Sequence, residues 1–392
     1  MGTGNHSQVR RIVISGYYGF RNSGDEAVLR SILLALEEEG KAQGVQIQPI
    51  VLSADPAWTS GMYGVESVRR MHPADLLRAL RSSDGLISGG GSLLQDATSA
   101  KTIPYYTGVM KLAQLLGKPT FAYSQGIGPV NRRWMDPLIR GVMKRSSYVS
   151  VRDAESAALL GRIGVPAERI DVVPDPVMGL PLPAGSHEDA SRITQAGQVA
   201  GALRAEEPPL IGVSLRCWRS DGADLARAAE ALVALSKRMP VRLRFLPFHT
   251  PSDIEASEQV MERLRGRLGS GSTAELAAPG DDPQQMLLEV SRCDALFGMR
   301  LHALIYAAGQ MVPMLGLSYD PKIDQFLNRL GLKAIGTTDR LDAELFAEAA
   351  CSLLADKAGW QAEHKAAIDL LKQQSQKPAQ QIVHLLRHHI SR

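Results

Sequence analysis

Residues 12–36 read IVISGYYGFRNSGDEAVLRSILLAL: an apolar run, a glycine-rich turn and an amphipathic segment in immediate succession. Ile12–Ser15 has the length and composition of a buried strand. Val28, Leu29, Ile32, Leu33 and Leu36 recur at helical spacing, and Ser23 with Glu26 three positions on has the form of a capping box. The unit is strand, glycine loop from Gly16 to Gly24, helix. Further apolar runs at Ile47–Leu52, Gly85–Ser88, Thr120–Ser124 and Tyr148–Val151 alternate with helical patterns, one opened by Pro73 and one across Tyr105–Leu116. Strands and helices alternating at this pitch predict βαβ units on a parallel sheet covered on both faces.

Composition shifts beyond this series. Prolines recur from Pro174 to Pro183, and Ala184–Pro209 is small, polar or charged without an apolar period, as a linker is. Leu210–Leu215 then opens a second alternating series, with runs at Val241–Leu246, Ala274–Ala278, Ala295–Gly298 and Val312–Leu317. After Leu341 the chain has helical propensity throughout. The expected organisation is an α/β protein of two Rossmann-like, doubly wound domains, 1–180 and 210–355. A linker at 181–209 joins them, and a helical segment at 356–392 packs back on the first domain. Open sheets of this kind bind ligands at the carboxyl ends of their strands, so the chemistry is sought there.

Composition narrows the function. The 392 residues are 44% hydrophobic and 22% charged, which is ordinary for a globular protein and excludes disorder or a coiled coil. Lys and Arg number 44 against 41 Asp and Glu, a net +3 too small for a nucleic-acid footprint. Cys217, Cys293 and Cys351 are scattered and form no CxxC pair, which argues against disulfides and a zinc cluster and fits a cytoplasmic location. The polar start, Met1–Arg11, lacks the apolar core of a signal peptide, and no stretch approaches the roughly 20 apolar residues of a membrane span.

Three glycine loops follow strands of the first series. Gly16–Gly24, containing Gly19 and Asn22 and closing on Asp25, can present backbone N–H groups at a helix start, although its spacing is not the dinucleotide fingerprint GxGxxG. Gly89-Gly90-Gly91-Ser92 can form a nest of N–H donors, against the competing reading of close helix packing. Ser124-Gln125-Gly126-Ile127-Gly128-Pro129 makes a third. Arginines occupy the same positional class: Arg152 after Val151, Arg216 after Leu215 and Arg300 after Met299, each a guanidinium fork suited to carboxylate or phosphate. Asp153 beside Arg152 offers a plain surface salt bridge instead. His302 follows Arg300 and Leu301 where a helix across Ala303–Ala308 starts, and an imidazole there can move a proton near neutral pH. Lys322, with Asp320 or Asp324 as alternative salt-bridge partners, opens the helix after the next strand, and His249 ends another strand of the second series.

In this order, GYYGF with NSGDE, SGGGS, SQGIGP, VRD and GMRLH resemble the polysaccharide pyruvyl transferase family, most closely its cell-wall branch of the CsaB type. The resemblance runs from about Ile12 to Lys322. It implies a GT-B-like fold whose first domain takes the acceptor and whose second takes the donor. It implies transfer of pyruvate from phosphoenolpyruvate, a co-substrate, to a hexose of a lipid-linked amino-sugar oligosaccharide, as a 4,6-ketal on N-acetylmannosamine in secondary cell-wall polymer precursors. On that reading His302, Lys322 and Arg152 are catalytic, while Arg216, Arg300, Leu301 and His249 bind the donor. Gly19, Asn22, Asp25, Gly90, Gly91, Ser92 and Gln125 face the acceptor. No metal, further cofactor or nucleic acid is expected, and membrane contact at the inner face is at most peripheral. Two rivals share the residues: a nucleotide-sugar glycosyltransferase of the same architecture, and a non-catalytic sugar-phosphate sensor.

Overall fold

Ile12, Val13 and Ile14 are fully buried, and the strand they belong to runs well past them: β1 spans Gln8–Tyr18. The computed structural model describes residues 8–97, 99–185, 207–278 and 280–388, so most of the expected 181–209 linker lies outside the described residues. The chain divides into two units, Met1–Leu180 with Leu371–Arg392, and Pro181–Leu370.

In the first unit β1 leads into α1 (Ser23–Gln43), followed by β2 (Val45–Ser53), α2 (Pro56–Tyr63), β3 (Glu66–Arg69) and α3 (Pro73–Arg81). β4 (Gly85–Gly89), α4 (Thr102–Leu115), β5 (Thr120–Gln125), α5 (Asp136–Met143), β6 (Tyr148–Val151), α6 (Ala154–Arg162) and β7 (Ile170–Val172) complete the series. All strands are parallel, in the order β3-β2-β1-β4-β5-β6-β7. Central strands are buried on both faces, which is why β4 and β6 read as continuous apolar runs.

Two local expectations change. Gly16, Tyr17 and Tyr18 belong to β1, whose register against β2 shifts between Ser15 and Tyr18, so the loop begins only at Gly19. Ser23 and Glu26 form no capping box: Asn22 caps α1, its Oδ1 accepting from Gly24 N at 3.1 Å. Glu26 is drawn elsewhere by a stronger set of donors, described below.

The second unit repeats the pattern with β8 (Leu210–Ser214), α7 (Ala223–Arg238), β9 (Arg242–Phe245), α8 (Ser252–Leu264), β10 (Thr273–Leu276) and α9 (Pro283–Ser291). β11 (Ala295–Gly298), α10 (Leu301–Gly309), β12 (Met314–Ser318), α11 (Pro321–Arg329), β13 (Gly336–Thr337) and α12 (Ala343–Ala355) follow. The sheet is again parallel, in the order β10-β9-β8-β11-β12-β13. Its core joins β8, β9 and β11 to α7, α8 and α12 through residues such as Val213, Leu232, Phe297 and Phe346. His302 lies inside the first turn of α10, which starts earlier than the expected Ala303.

The last helix, α13 (Lys357–His388), begins in the second unit, and from Leu371 onward its residues belong to the first. There Ala379, Ile382, Val383 and Leu386 are fully buried, Lys377 pairs with Asp171 at 2.9 Å, and Gln43 bonds the Gln380 carbonyl. Both sheets change winding direction at their centre, between β1 and β4 and between β8 and β11. Such switch points open a crevice at the carboxyl ends of the strands.

Candidate active site

In the first unit the switch point is lined by the loops after β1 and β4. Gly90 and Gly91 both have positive φ, +47° and +70°, which suits glycine. A Cβ on Gly90 would stand 1.9 Å from Val28 Cγ1 of α1, so this glycine serves the close packing that the sequence left as an alternative. A Cβ on Gly91 would stand 3.0 Å from Asp25 Oδ1, so the β4 loop lies directly against the first turn of α1.

Arg152, at the end of β6 and only 9% exposed, reaches across the sheet edge. Its Nη1 lies 3.2 Å from Asp175 Oδ2, and its Nη2 donates to Ser92 Oγ at 2.9 Å. Asp153, the alternative salt-bridge partner, caps α6 and also stands 4.0 Å from Arg152 Nε, a longer pair than that with Asp175. A Cβ on Gly126 would meet both Arg152 Nη2 and Ser92 Oγ at 2.9 Å, so that glycine clears space for the guanidinium. Gln125 is fully buried; its Oε1 accepts from Ser88 at 3.4 Å, while its Nε2 has no hydrogen-bond partner among the described residues.

Asp25 is the electrostatic centre of this half. Burial, the neighbouring Glu26 carboxylate and Asp175 push its carboxyl up to about 7, against the opposing pull of Arg152. A carboxyl titrating near neutrality beside a guanidinium suits proton transfer. Glu26, fully buried and raised by that burial, accepts from Gly19 N at 2.8 Å and Tyr63 Oη at 2.9 Å, and also from the Phe20 and Arg21 amides. It fixes the loop that carries Phe20. At Gly19, with φ +78°, a Cβ would fall 2.1 Å from Ser53 Oγ.

Beneath that loop lies a residue the sequence reading missed. Arg70 is 9% exposed, and its guanidinium faces the rings of Tyr105 at 4.7 Å, Phe20 at 5.3 Å, Tyr106 at 5.6 Å and Tyr17 at 5.8 Å. Tyr17 and Phe20 stack at 4.0 Å and remain half exposed. Asp175 was missed too; only its place after β7, between Pro174 and Pro176, marked it.

In the second unit, neighbouring strands β8, β11 and β12 end in Arg216, in Arg300 to His302 and in the approach to Lys322. Arg216 lies against Trp218 and Tyr319 at 5.2 and 5.1 Å from their rings and donates to Tyr319 Oη at 3.1 Å. Its Nε is buried and has no hydrogen-bond partner among the described residues. His302, half-buried with Nε2 shielded from solvent, sits on the first turn of α10 beside Leu301. Lys322 is half-buried on the first turn of α11, where its backbone N–H is capped by Asp320. The alternative salt-bridge partner Asp324 accepts from Ser318 Oγ at 2.6 Å.

Arg300 differs from its expected place as an open anion fork. Its Nε and Nη2 both donate to Asp253, a fully buried carboxylate that also accepts from Phe248 N and His249 N. Arg300 thereby ties β11 to the loop after β9. His249 Nδ1 lies 3.0 Å from Ser252 Oγ in that same loop. No local pattern in the sequence pairs Asp253 with Arg300, which lies 47 positions away.

Among the described residues no group of three or more His, Cys, Asp or Glu is placed to hold a metal ion, and no helix is long and apolar enough to cross a membrane. Solved structures share the fold across both units. A glycosyltransferase from Rickettsia africae ESF-5 superposes with a TM-score of 0.63 at 10% identity, covering 98% of this chain and 100% of that one. The UDP-GlcNAc 2-epimerase of Methanocaldococcus jannaschii gives 0.62 at 12% identity, over 97% and 100% of the two chains. That of Neisseria meningitidis, bound to UDP-GlcNAc, gives 0.58 at 12%, over the same shares. The fold is therefore GT-B-like. No curated protein matches the sequence. Residues 22–321 match the family model described as polysaccharide pyruvyl transferase. That span contains every expected site residue except Gly19 and Lys322, which stand just outside its two ends. Because the match takes in most of the chain, this protein belongs to the polysaccharide pyruvyl transferase family.

Proposed function

We propose that this chain transfers pyruvate from phosphoenolpyruvate to a hexose of a lipid-linked cell-wall oligosaccharide, as a 4,6-ketal on N-acetylmannosamine in the manner of the CsaB branch. The observation that carries the reading is the delivery of Arg216, His302 and Lys322 by adjacent parallel strands to one sheet edge, where α10 and α11 also begin. Cations and helix N-termini together suit a small trianion bearing carboxylate and phosphate. Arg300, engaged with Asp253, positions this edge.

His302 donates a proton to the methylene carbon of phosphoenolpyruvate, leaving C2 electrophilic with oxocarbenium character. A sugar hydroxyl adds to C2 and returns a proton to His302, which is thereby reset. The C2–O bond to phosphate breaks with Lys322 balancing the charge. A second hydroxyl of the sugar closes the ketal, and its proton leaves with inorganic phosphate. Arg152, Ser92 and Gln125 orient the acceptor.

Phosphate release is measured with phosphoenolpyruvate alone and with a lipid-free diphosphate-linked N-acetylmannosaminyl-N-acetylglucosamine. Acceptor-dependent release with added pyruvate mass on the sugar supports the reading; donor binding without acceptor-dependent release for any amino-sugar acceptor refutes it. A nucleotide-sugar transferase is the second reading, favoured by half-exposed Trp218 against Tyr319, rings 4.7 Å apart, a shelf suited to a stacked base. Binding of a uridine nucleotide with no binding of phosphoenolpyruvate would favour it.

A further inference from the structure

The 3₁₀ turn Arg133–Met135 and helix α5 carry side chains that the reaction leaves unused. From Asn131 to Arg145 the chain has five basic residues, Arg132, Arg133, Arg140, Lys144 and Arg145, against one acid, half-buried Asp136. Met135, Ile139, Val142 and Met143 enter the core of the first unit. The opposite side is exposed and falls into two neighbouring stripes at helical spacing. One holds Arg133, Pro137, Arg140 and Lys144; the other holds Trp134, Leu138, Gly141 and Arg145.

Trp134 is 59% exposed and Leu138 38%. Leu115, 70% exposed at the end of α4, continues the apolar ground, since Gln114 beside it bonds the Val142 carbonyl of α5 at 2.9 Å. Arg132 pairs with Asp96 at 3.2 Å, whereas Arg133, Arg140, Lys144 and Arg145 have no ion-pair partner among the described residues. Arg169 closes the far end, donating to the Lys144 and Ser146 carbonyls. Solvated helix faces ordinarily mix charges of both signs. Here cations of one sign surround an exposed tryptophan and two leucines, the combination that favours a lipid interface. A second copy would set cation against cation across a two-fold contact.

We propose that this face docks on the anionic headgroup surface of a bilayer, with Trp134 and Leu138 entering the interface and the four unpaired cations meeting lipid phosphates. The proposal rests on the reading of the acceptor as lipid-linked. Arg133 follows Gly126, the glycine that abuts Arg152, by seven positions, at most about 25 Å of extended chain. Asp96 clamps the connection by accepting from Asn131 N at 2.8 Å and Arg132 N at 2.9 Å. A headgroup-bound sugar is thus presented within reach of the first unit's strand ends.

The test is co-sedimentation of the full chain with vesicles of phosphatidylcholine alone and of equal parts phosphatidylcholine and phosphatidylglycerol. Wild type is expected to bind the anionic vesicles, less so as salt rises. Each basic residue near an anionic surface strengthens binding about fivefold, so R133Q/R140Q/K144Q loses about a hundredfold. W134S/L138S, with its charges intact, is expected to lose binding as well. Both variants should keep wild-type turnover of a lipid-free acceptor and an unchanged melting temperature. Absence of wild-type vesicle binding at low salt, equal binding by the triple variant, or tighter capture by RNA than by vesicles would each overturn the proposal. None of these needs pyruvyl transfer, whose own failure shows separately as no phosphate release.

Discussion

Replacing Asp25 by asparagine separates two consequences of its position. Holding a carboxyl at about 7 instead of its ordinary 3.8 means that ionising it in the folded protein costs about 4 kcal/mol. The side chain is partly open to solvent, so the effective figure is about 2–4 kcal/mol. The folded pKa lies above the unfolded one, so the folded state holds its proton more tightly. Wild-type stability therefore falls as pH rises from about 4 to about 7 and stays low above that. The amide of the D25N variant does not titrate in this range, so the variant lacks this fall. Urea titrations of the two proteins should show a small gap near pH 4 that opens in favour of the variant to about 2–4 kcal/mol by about pH 8. Turnover should move the other way, with kcat/KM for the acceptor sugar, which Asp25 is expected to face, reduced about tenfold. A pH-independent stability gap, or a variant less stable than wild type at pH 8, would show that Asp25 is not a strained carboxyl.

Gly90→Ala places a methyl 1.9 Å from Val28 Cγ1 at φ +47°, and should destabilise by about 2–4 kcal/mol in thermal unfolding; V28A should restore part of the loss. His302→Ala should abolish turnover while leaving phosphoenolpyruvate affinity by calorimetry within a few-fold of wild type; unimpaired turnover would remove it from the mechanism. Asp253→Asn removes a fully buried carboxylate from its pair with partly buried Arg300 and should cost about 3 kcal/mol by chemical denaturation, with weaker donor binding. Retained stability and affinity would mean that Arg300 does not depend on this partner.

The strands that the sequence made legible are the central ones. β6 and β11 match their apolar runs residue for residue because both faces are covered and no polar side chain is tolerated there without a partner. β3, β7 and β13 were illegible for the converse reason: each is a sheet edge of two to four residues with partly exposed side chains, so hydrophobicity left no mark. At the helix start, Asn22 competes with Ser23 for the same cap, and composition does not choose between them. Glu26 was misread because its decisive partner, Tyr63, comes from another element. The arginines at strand ends could be found by position alone. Their counterions, Asp175 and Asp253, and the rings around Arg70 could not, because those contacts join segments tens of residues apart and exist only after folding.

Helix α13 inverts the usual order of assembly. Ribosomes release amino-terminal domains first, and such domains generally fold as they emerge. Here the amino-terminal unit stays unfinished until the final helix is made, since Ile382, Val383 and Leu386 seal its core and Ser375 and Gln376 lie against Gly179. The nascent chain must therefore hold an uncovered apolar surface while the entire second unit is synthesised. A chain ending at Leu370 should show that surface directly, by binding a hydrophobic dye and by early protease cleavage within the first unit while the second unit persists. Chaperone demand during synthesis is then governed by residues from Leu371 onward as much as by the first 180.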